Sequence, residues 1–288
     1  MWNEEKKICT CRICKTKEEM QTYIVREMMW NTRDEFEYFV CPNCNCLQIS
    51  EIPSDLEKYY GENYYSFQLE ANQNSIFSSN VVNSDKILDV GCGTGRWLFE
   101  RASEGYDNLY GIEPYIDKDI DYGDRVHIMK GTILDVEGDN TFDLIRMGDS
   151  LEHMENPLEV LKKARELLKE DGYIAINIPI FPNIAFNMFG TNWFQIDAPR
   201  HIFIPSKETI AYFAEVCKLQ IVRINYNSCE KQIICSFLYQ KDIPLLEHTP
   251  EVVQKYFSND EIYEISRMTD ECNKNQCSDH VEIYMKKK

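Results

Sequence analysis

The chain has 288 residues, 43% of them hydrophobic and 27% charged. That balance excludes a disordered chain, and the length suits one large domain or a medium domain with a small companion. The formal charge of −17 at pH 7 repels phosphate backbones and argues against non-specific binding to duplex nucleic acid. No run approaches the roughly 20 apolar residues of a membrane helix. The opening MWNEEKKICT has no secretory-type apolar core, so a cytoplasmic setting is expected.

Twelve cysteines are present, and six lie within the first 46 residues: Cys9, Cys11, Cys14, Cys41, Cys44 and Cys46. Clustering without a secretory signal points to metal ligation rather than disulfides. Cys11 with Cys14 and Cys41 with Cys44 form two C-x-x-C pairs, 26 residues apart. Each pair can set two thiolates on one side of a tight turn, and two turns close the tetrahedral sulfur shell zinc prefers. Cys9 and Cys46 are neighbours able to substitute in that shell. A closed all-sulfur shell has no open position for substrate, so the expected zinc is structural. Residues 22–25 and 36–40 read as short strands of a zinc-ribbon-like module. Arg12, Lys15, Lys17, Arg26 and Arg33 are interleaved with acids, so no basic stripe for nucleic acid emerges.

Residues 53–84 bring Tyr59, Tyr60, Tyr64, Tyr65 and Phe67 into one short stretch. This reads as a hydrophobic clasp between modules, as a lid placing phenols near a cofactor, or as both. Ser54 or Asp55 can cap a short helix toward Tyr60.

Residues 86–90 are a short apolar run, the pattern of a buried parallel strand. Gly91-Cys92-Gly93-Thr94-Gly95 follows at once, and a helix begins at Arg96. Strand, glycine loop and helix let backbone N–H groups approach a ligand that a Cβ would hold away. The spacing is G-x-G-x-G, and Arg96 stands where a dinucleotide fingerprint needs its last glycine. Asp89, two residues before the first glycine, suits a cationic ligand better than a pyrophosphate. The next strand ends at Glu113, 18 residues after Gly95, where a carboxylate can accept hydrogen bonds from ribose hydroxyls. Further strands are expected at 125–129, 142–147, 173–179 and 218–226, with a last one from His280. Asn156 and Pro157 open a helix that Gly172 ends, with Leu158, Leu161, Ala164, Leu167 and Leu168 as its buried stripe. Alternating strands and helices mean a parallel sheet whose ligands bind beyond the strands' carboxyl ends. Asp89, Glu113, Asp149 and His153 all fall there.

The run Asp89 to Gly95 closely resembles the first motif of class I S-adenosylmethionine-dependent methyltransferases. Over roughly residues 9–288 the knuckles, the tyrosine-rich stretch, Leu151-Glu152-His153 and Asp197-Ala198-Pro199-Arg200-His201 resemble a bacterial family of zinc-headed enzymes of this class. That family occurs among enzymes of surface-glycan and sugar modification. The resemblance implies a Rossmann-like, mostly parallel seven-stranded sheet with helices on both faces and an antiparallel last strand. The implied domains are a zinc module at 1–52, a linker or lid at 53–84 and a methyltransferase domain at 85–288, with an insertion at about 229–275. The implied cofactors are S-adenosylmethionine and structural zinc. The donor would be held by Asp89, Gly91, Cys92, Gly93, Gly95, Glu113, Asp149 and Ser150, with Ile133 and Asp135 at the adenine edge.

The implied reaction is methyl transfer to oxygen or nitrogen of a small hydroxyl-rich acceptor, a sugar or nucleotide sugar. C-methylation is not expected, because no counterpart of the long C-terminal domain of sugar C-methyltransferases is recognised. Asn183, Phe186, Asn187, Asn192, Trp193 and Phe194 read either as a pocket for hydroxyl-rich rings or as a loop packed across the sheet edge. His201 and His153 are the candidate bases, since an imidazole titrates near pH 6.5 and is partly basic at neutrality. The alternatives are an RNA methyltransferase and a non-catalytic cofactor-binding zinc adaptor. The insertion can cap a pocket or join a homodimer.

Overall fold

The computed structural model describes residues 5–60 and 83–288. Tyr64, Tyr65 and Phe67 of the expected lid lie outside the described residues. The chain divides into two compact units. One comprises Met1–Tyr59, Ile178–Tyr212 and Asn225–Glu282, the other Tyr60–Asn177, Phe213–Ile224 and Ile283–Lys288, each over its described residues. Ile178–Tyr212 and Asn225–Glu282 of the expected methyltransferase domain, the insertion among them, thus cluster with the cysteine-rich head.

The head begins as an antiparallel meander of β1 (Glu5–Thr10), β2 (Lys17–Arg26), β3 (Glu35–Val40) and β4 (Leu47–Ile49). The β1–β2 and β3–β4 connections are the two cysteine knuckles. The residue after each knuckle, Lys15 and Asn45, is left-handed at φ 63° and 53°. Its N–H donates back to the first cysteine of the pair, Lys15 to the Cys11 carbonyl at 3.0 Å and Asn45 to the Cys41 carbonyl at 2.8 Å. The same local fold is therefore used twice.

The second unit is built on β5 (Ile87–Val90), α1 (Arg96–Ser103), β6 (Leu109–Glu113), β7 (Ile120–Tyr122), β8 (Val126–Lys130), β9 (Phe142–Gly148), α2 (Pro157–Leu167) and β10 (Leu168–Pro179). β5 pairs in parallel with β6 and β9, β6 with β8, and β9 with β10. All four residues of β5 are buried, as a strand covered on both faces must be. α2 opens with Pro157 at its first position and buries Val160, Leu161, Ala164 and Leu167, so Val160 takes the place expected of Leu158. Gly172 does not end that helix. β10 starts at Leu168 and shifts register before Tyr173, and the glycine sits inside the irregular strand.

Next come α3 (Ile184–Phe189), β11 (Phe203–Ile204), α4 (Lys207–Val216), β12 (Leu219–Tyr226), α5 (Glu230–Gln240), α6 (Pro250–Tyr256), α7 (Asn259–Lys274) and β13 (His280–Lys287). β11 pairs antiparallel with β4 and completes the sheet of the first unit. The large sheet runs β12-β13-β10-β9-β5-β6-β8-β7. It has eight strands where seven were expected. The addition is β7, antiparallel to β8. Ile120-Asp121-Tyr122 alternates at strand period and turns at Gly123, whose φ is +64°. A hairpin therefore replaces a crossover helix there.

In the first unit Val25, Tyr38, Leu47 and Ile49 of the meander pack with Phe189, Trp193, Ile204 and Ile233. In the second, Ile87, Leu98, Leu109, Val126 and Ile128 form the core beneath the glycine loop. Burying each such side chain contributes ~1.5–3 kcal/mol. Among the described residues no helix is long and apolar enough to cross a membrane.

Candidate cofactor site and cysteine cluster

The glycine loop leaves β5 in a conformation only glycine adopts without strain. Gly91, Gly93 and Gly95 have φ of 74°, 54° and 90°. A Cβ on Gly91 would stand 2.6 Å from the Ser150 Cβ, and one on Gly95 2.5 Å from the Ile128 Cδ1. The loop is pinned by Gly91 N–H donating to the Ile112 carbonyl at 2.8 Å and Gly95 N–H to the Cys92 carbonyl at 3.0 Å. Ser150 closes the seam by donating its hydroxyl to the Val90 carbonyl at 2.7 Å. Gly91, Gly93, Gly95 and Ser150 thus come together where β5 and β9 end. Asp149, beside them at φ 52°, donates its N–H to the Asn177 carbonyl at 3.0 Å. Cys92 points inward, its Sγ 2.5 Å from where a Cβ on Gly111 would be. Burial pushes its thiol well above the usual value, so it fills space rather than reacting.

Glu113, at the end of β6, folds onto this loop. Its Oε2 accepts the Gly93 N–H at 3.0 Å and its Oε1 the Tyr115 N–H at 3.1 Å. Burial raises its pKa and the two amide bonds oppose the rise. Each oxygen retains a lone pair for a hydroxyl donor. Ile133 is buried in a short 3₁₀ turn. Asp135 closes that turn, accepting from the Thr132 N–H at 2.8 Å and the Thr132 hydroxyl at 2.9 Å. These bonds lower its pKa, and they commit the carboxylate to a cap.

Asp89 is placed otherwise than its motif led us to expect. It is fully buried in β5, and its Oδ1 accepts from Arg146 Nη1 on β9 at 2.8 Å. The two residues are register partners, and the guanidinium also lies 4.6 Å from the Trp97 ring. Burial raises the Asp89 pKa, and the neighbouring guanidinium pulls it back. Asp89 therefore forms an internal ion pair rather than an open anion facing a cationic ligand. Arg146 was not singled out from sequence. Its signal was a cation between Ile145 and Met147, in the apolar middle of a strand run that also carries Asp143 near its start.

The two histidines belong to different units. His153 lies in the turn after β9, and its Nδ1 is 3.0 Å from the Tyr60 hydroxyl. Tyr60 stacks on Tyr115, with ring centroids 5.4 Å apart and planes at 19°. His201 is buried, with Nδ1 2.8 Å from the Gln195 carbonyl. A carbonyl only accepts, so Nδ1 carries a hydrogen. Beside it Arg200 is fully buried, bound to Asp197 at 2.6 Å and Glu27 at 3.1 Å. Trp193 donates its Nε1–H to Asp279 at 2.7 Å, and Asn183 caps α3 by accepting the Phe186 N–H at 2.7 Å. Both side chains serve the packing of the first unit.

Cys11, Cys14, Cys41 and Cys44 place their four sulfurs within 4.8 Å of one another. Cys11 and Cys44 are 3.6 Å apart, Cys14 and Cys41 3.5 Å. Zinc–sulfur bonds of about 2.3 Å at tetrahedral angles require sulfurs about 3.8 Å apart, so the cluster is compatible with that ion. The Gln48 amide donates to Cys11 at 3.1 Å, support usual for a ligating thiolate. Their mutual hydrogen bond draws Cys11 down and Cys44 up. Cys9 and Cys46 are not in the cluster. Cys46 is buried and donates to the Ile204 carbonyl at 3.4 Å.

Several curated relatives resemble parts of the chain. The tRNA U34 carboxymethyltransferase of Proteus mirabilis is 27% identical over 161 residues, 51% of this chain and 49% of its own length. The ubiquinone biosynthesis O-methyltransferase of Haemophilus ducreyi is 32% identical over 112 residues, 34% of this chain and 47% of its own. The chain thus spans about half the length of the curated relatives it matches. Geranyl diphosphate C-methyltransferase of Streptomyces coelicolor A3(2) aligns with 72% of the chain and 74% of its own, at 13% identity and a TM-score of 0.48. That likeness is too loose to bear on chemistry. The sequence profile of a methyltransferase domain matches residues 61–222, more than half of the chain and the whole of the glycine-loop region. The chain belongs to this family, that of the S-adenosylmethionine-dependent methyltransferase domains.

Proposed function

We propose that the chain transfers a methyl group from S-adenosylmethionine to a hydroxyl oxygen of its acceptor, with a structural zinc ion in the cysteine cluster. The observation that carries the reading is the left-handed glycine loop under Glu113. It sets a buried carboxylate on the Gly93 amide at the carboxyl ends of β5 and β6, in a turn whose Gly91 and Gly95 have no room for a Cβ. Bound there, the donor supplies a methyl group activated on a cationic sulfur. Glu113 would accept from its ribose hydroxyls, the glycine loop and the turn at Asp149 and Ser150 would line its methionine part, and Ile133 would pack its adenine edge. Asp89 and Arg146 would stiffen the loop from below. Either His153 or His201 would take the proton as the acceptor oxygen is methylated. Orientation of acceptor against donor supplies much of the rate.

A small hydroxyl-rich acceptor, a sugar or nucleotide sugar, is the class to which the motif resemblance points, and the O-methyltransferase relative supports oxygen as the nucleophile. A second reading, methylation of RNA, is favoured by the likeness to tRNA-modifying enzymes and opposed by the charge of −17. Methyl-labelled donor, offered with nucleotide sugars and separately with total tRNA, separates the two. Label in the small-molecule fraction supports the first reading and label in RNA the second. Protein that fails to bind the donor contradicts both.

A further inference from the structure

We infer that Tyr60 is a positioning residue for His153, holding the imidazole through Nδ1 so that Nε2 is presented as a proton acceptor. The inference rests on the proposed transfer to oxygen, with His153 as the base.

The geometry is built from the donor side outward. Glu113 fixes the backbone of Tyr115 through its N–H at 3.1 Å. The Tyr115 ring supports the Tyr60 ring in a near-parallel stack, and the Tyr60 hydroxyl meets His153 Nδ1 at 3.0 Å. The Tyr60 and His153 rings meet edge to face at 5.9 Å. A tyrosine merely filling space there would not need its hydroxyl on a ring nitrogen. His153 is itself fixed at the end of β9, where its N–H donates to the Ser150 carbonyl at 3.1 Å. Ser150 in turn holds the seam of the glycine loop. Ser150, at the seam of the glycine loop, and the ring that would take the proton therefore share one turn.

The chemistry sets the direction of the hydrogen bond. A neutral imidazole carries one proton, so Nε2 can accept only when Nδ1 holds it. Nδ1–H then donates to the Tyr60 oxygen. During transfer the acceptor O–H bond breaks and an Nε2–H bond forms, while the oxygen takes the methyl group. The positive charge lost at sulfur reappears on the imidazolium. Tyr60 keeps its hydrogen throughout and accepts from Nδ1–H before and after the step. Its oxygen thus becomes the acceptor of a charge-assisted hydrogen bond as the reaction proceeds.

The test reads the tautomer directly. In protein carrying ¹⁵N-labelled imidazoles, two-bond correlation spectra distinguish Nδ1–H from Nε2–H, and the chain has 5 histidines to assign. Neutral His153 is expected as Nδ1–H in the intact protein and as Nε2–H in Tyr60→Phe. In Tyr60→Phe kcat should fall about tenfold while KM for the donor stays within about twofold, the loss expected of one hydrogen bond made in the transition state. Neutral His153 found as Nε2–H in the intact protein overturns the inference, whatever the variant does. So does a Tyr60→Phe variant with unchanged tautomer and turnover. If calorimetry shows that S-adenosylmethionine does not bind, the methyl-transfer reading fails, and the tautomer still decides the role of Tyr60.

Discussion

Replacing Arg146 with Met should destabilise the second unit more at high pH than at low pH. Asp89 and Arg146 face each other across β5 and β9 at 2.8 Å, with side-chain exposures of 2% and 20%. Breaking a buried pair from one side costs ~3–5 kcal/mol. Arg146 is partly open to water, and the stranded carboxylate can take up a proton, so the expected loss is ~2–4 kcal/mol at neutral pH. Up to ~1 kcal/mol of it is the lost contact with the Trp97 ring. The folded-state pKa of Asp89 is already raised above 3.8 by burial, with Arg146 opposing the rise. Without Arg146 it climbs further. The native state then binds this proton more tightly than the unfolded state, so the electrostatic part of the penalty is absent below 3.8, grows as pH rises from there and levels off above the folded value. Urea unfolding at about pH 5.5 and about pH 8 brackets that rise and avoids precipitation near the isoelectric point of 4.8. Arg146→Met should lose clearly more stability at the higher pH, and Asp89→Asn with Arg146→Met should recover most of it. A single variant as stable as the parent, or equally weakened at both pH values, refutes the reasoning.

Other outcomes follow from the same geometry. Gly91→Ala forces an L residue to φ 74° against Ser150; that strain costs ~1–3 kcal/mol, and donor affinity by calorimetry should fall at least tenfold. Cys41→Ser should lower metal content by mass spectrometry from about one zinc per chain to near zero and broaden the thermal transition; unchanged metal would place zinc elsewhere. Trp193→Phe removes the donor to Asp279, which is 2% exposed. Losing a bond to a buried carboxylate should cost ~1.5–3 kcal/mol by urea unfolding, whereas a ring-gripping Trp193 would leave stability intact.

Much of this arrangement was legible along the chain. The glycine loop, Glu113 at the end of its strand and the two cysteine knuckles are local patterns, so spacing alone positions them. What escaped was set by pairing between distant residues. Asp89 reads as an open anion until β9 brings Arg146 beside it. Asp135 reads as a ligand until it turns back to cap Thr132. The aromatic and amide residues around 183–194 read equally as a sugar pocket or a packed loop until Trp193 and Asn183 are seen spent on Asp279 and on the start of α3. The hairpin at β7 escaped because three alternating residues are too short a run to read as a strand.

The most direct test of the central claim is calorimetric titration of S-adenosylmethionine and S-adenosylhomocysteine into the metal-loaded protein and into Glu113→Gln. Both ligands should bind the parent at one site, and the variant should bind each roughly ten- to hundredfold more weakly, as expected from losing charge-assisted bonds to ribose. Absent binding by the parent, or equal binding by the variant, would contradict the account.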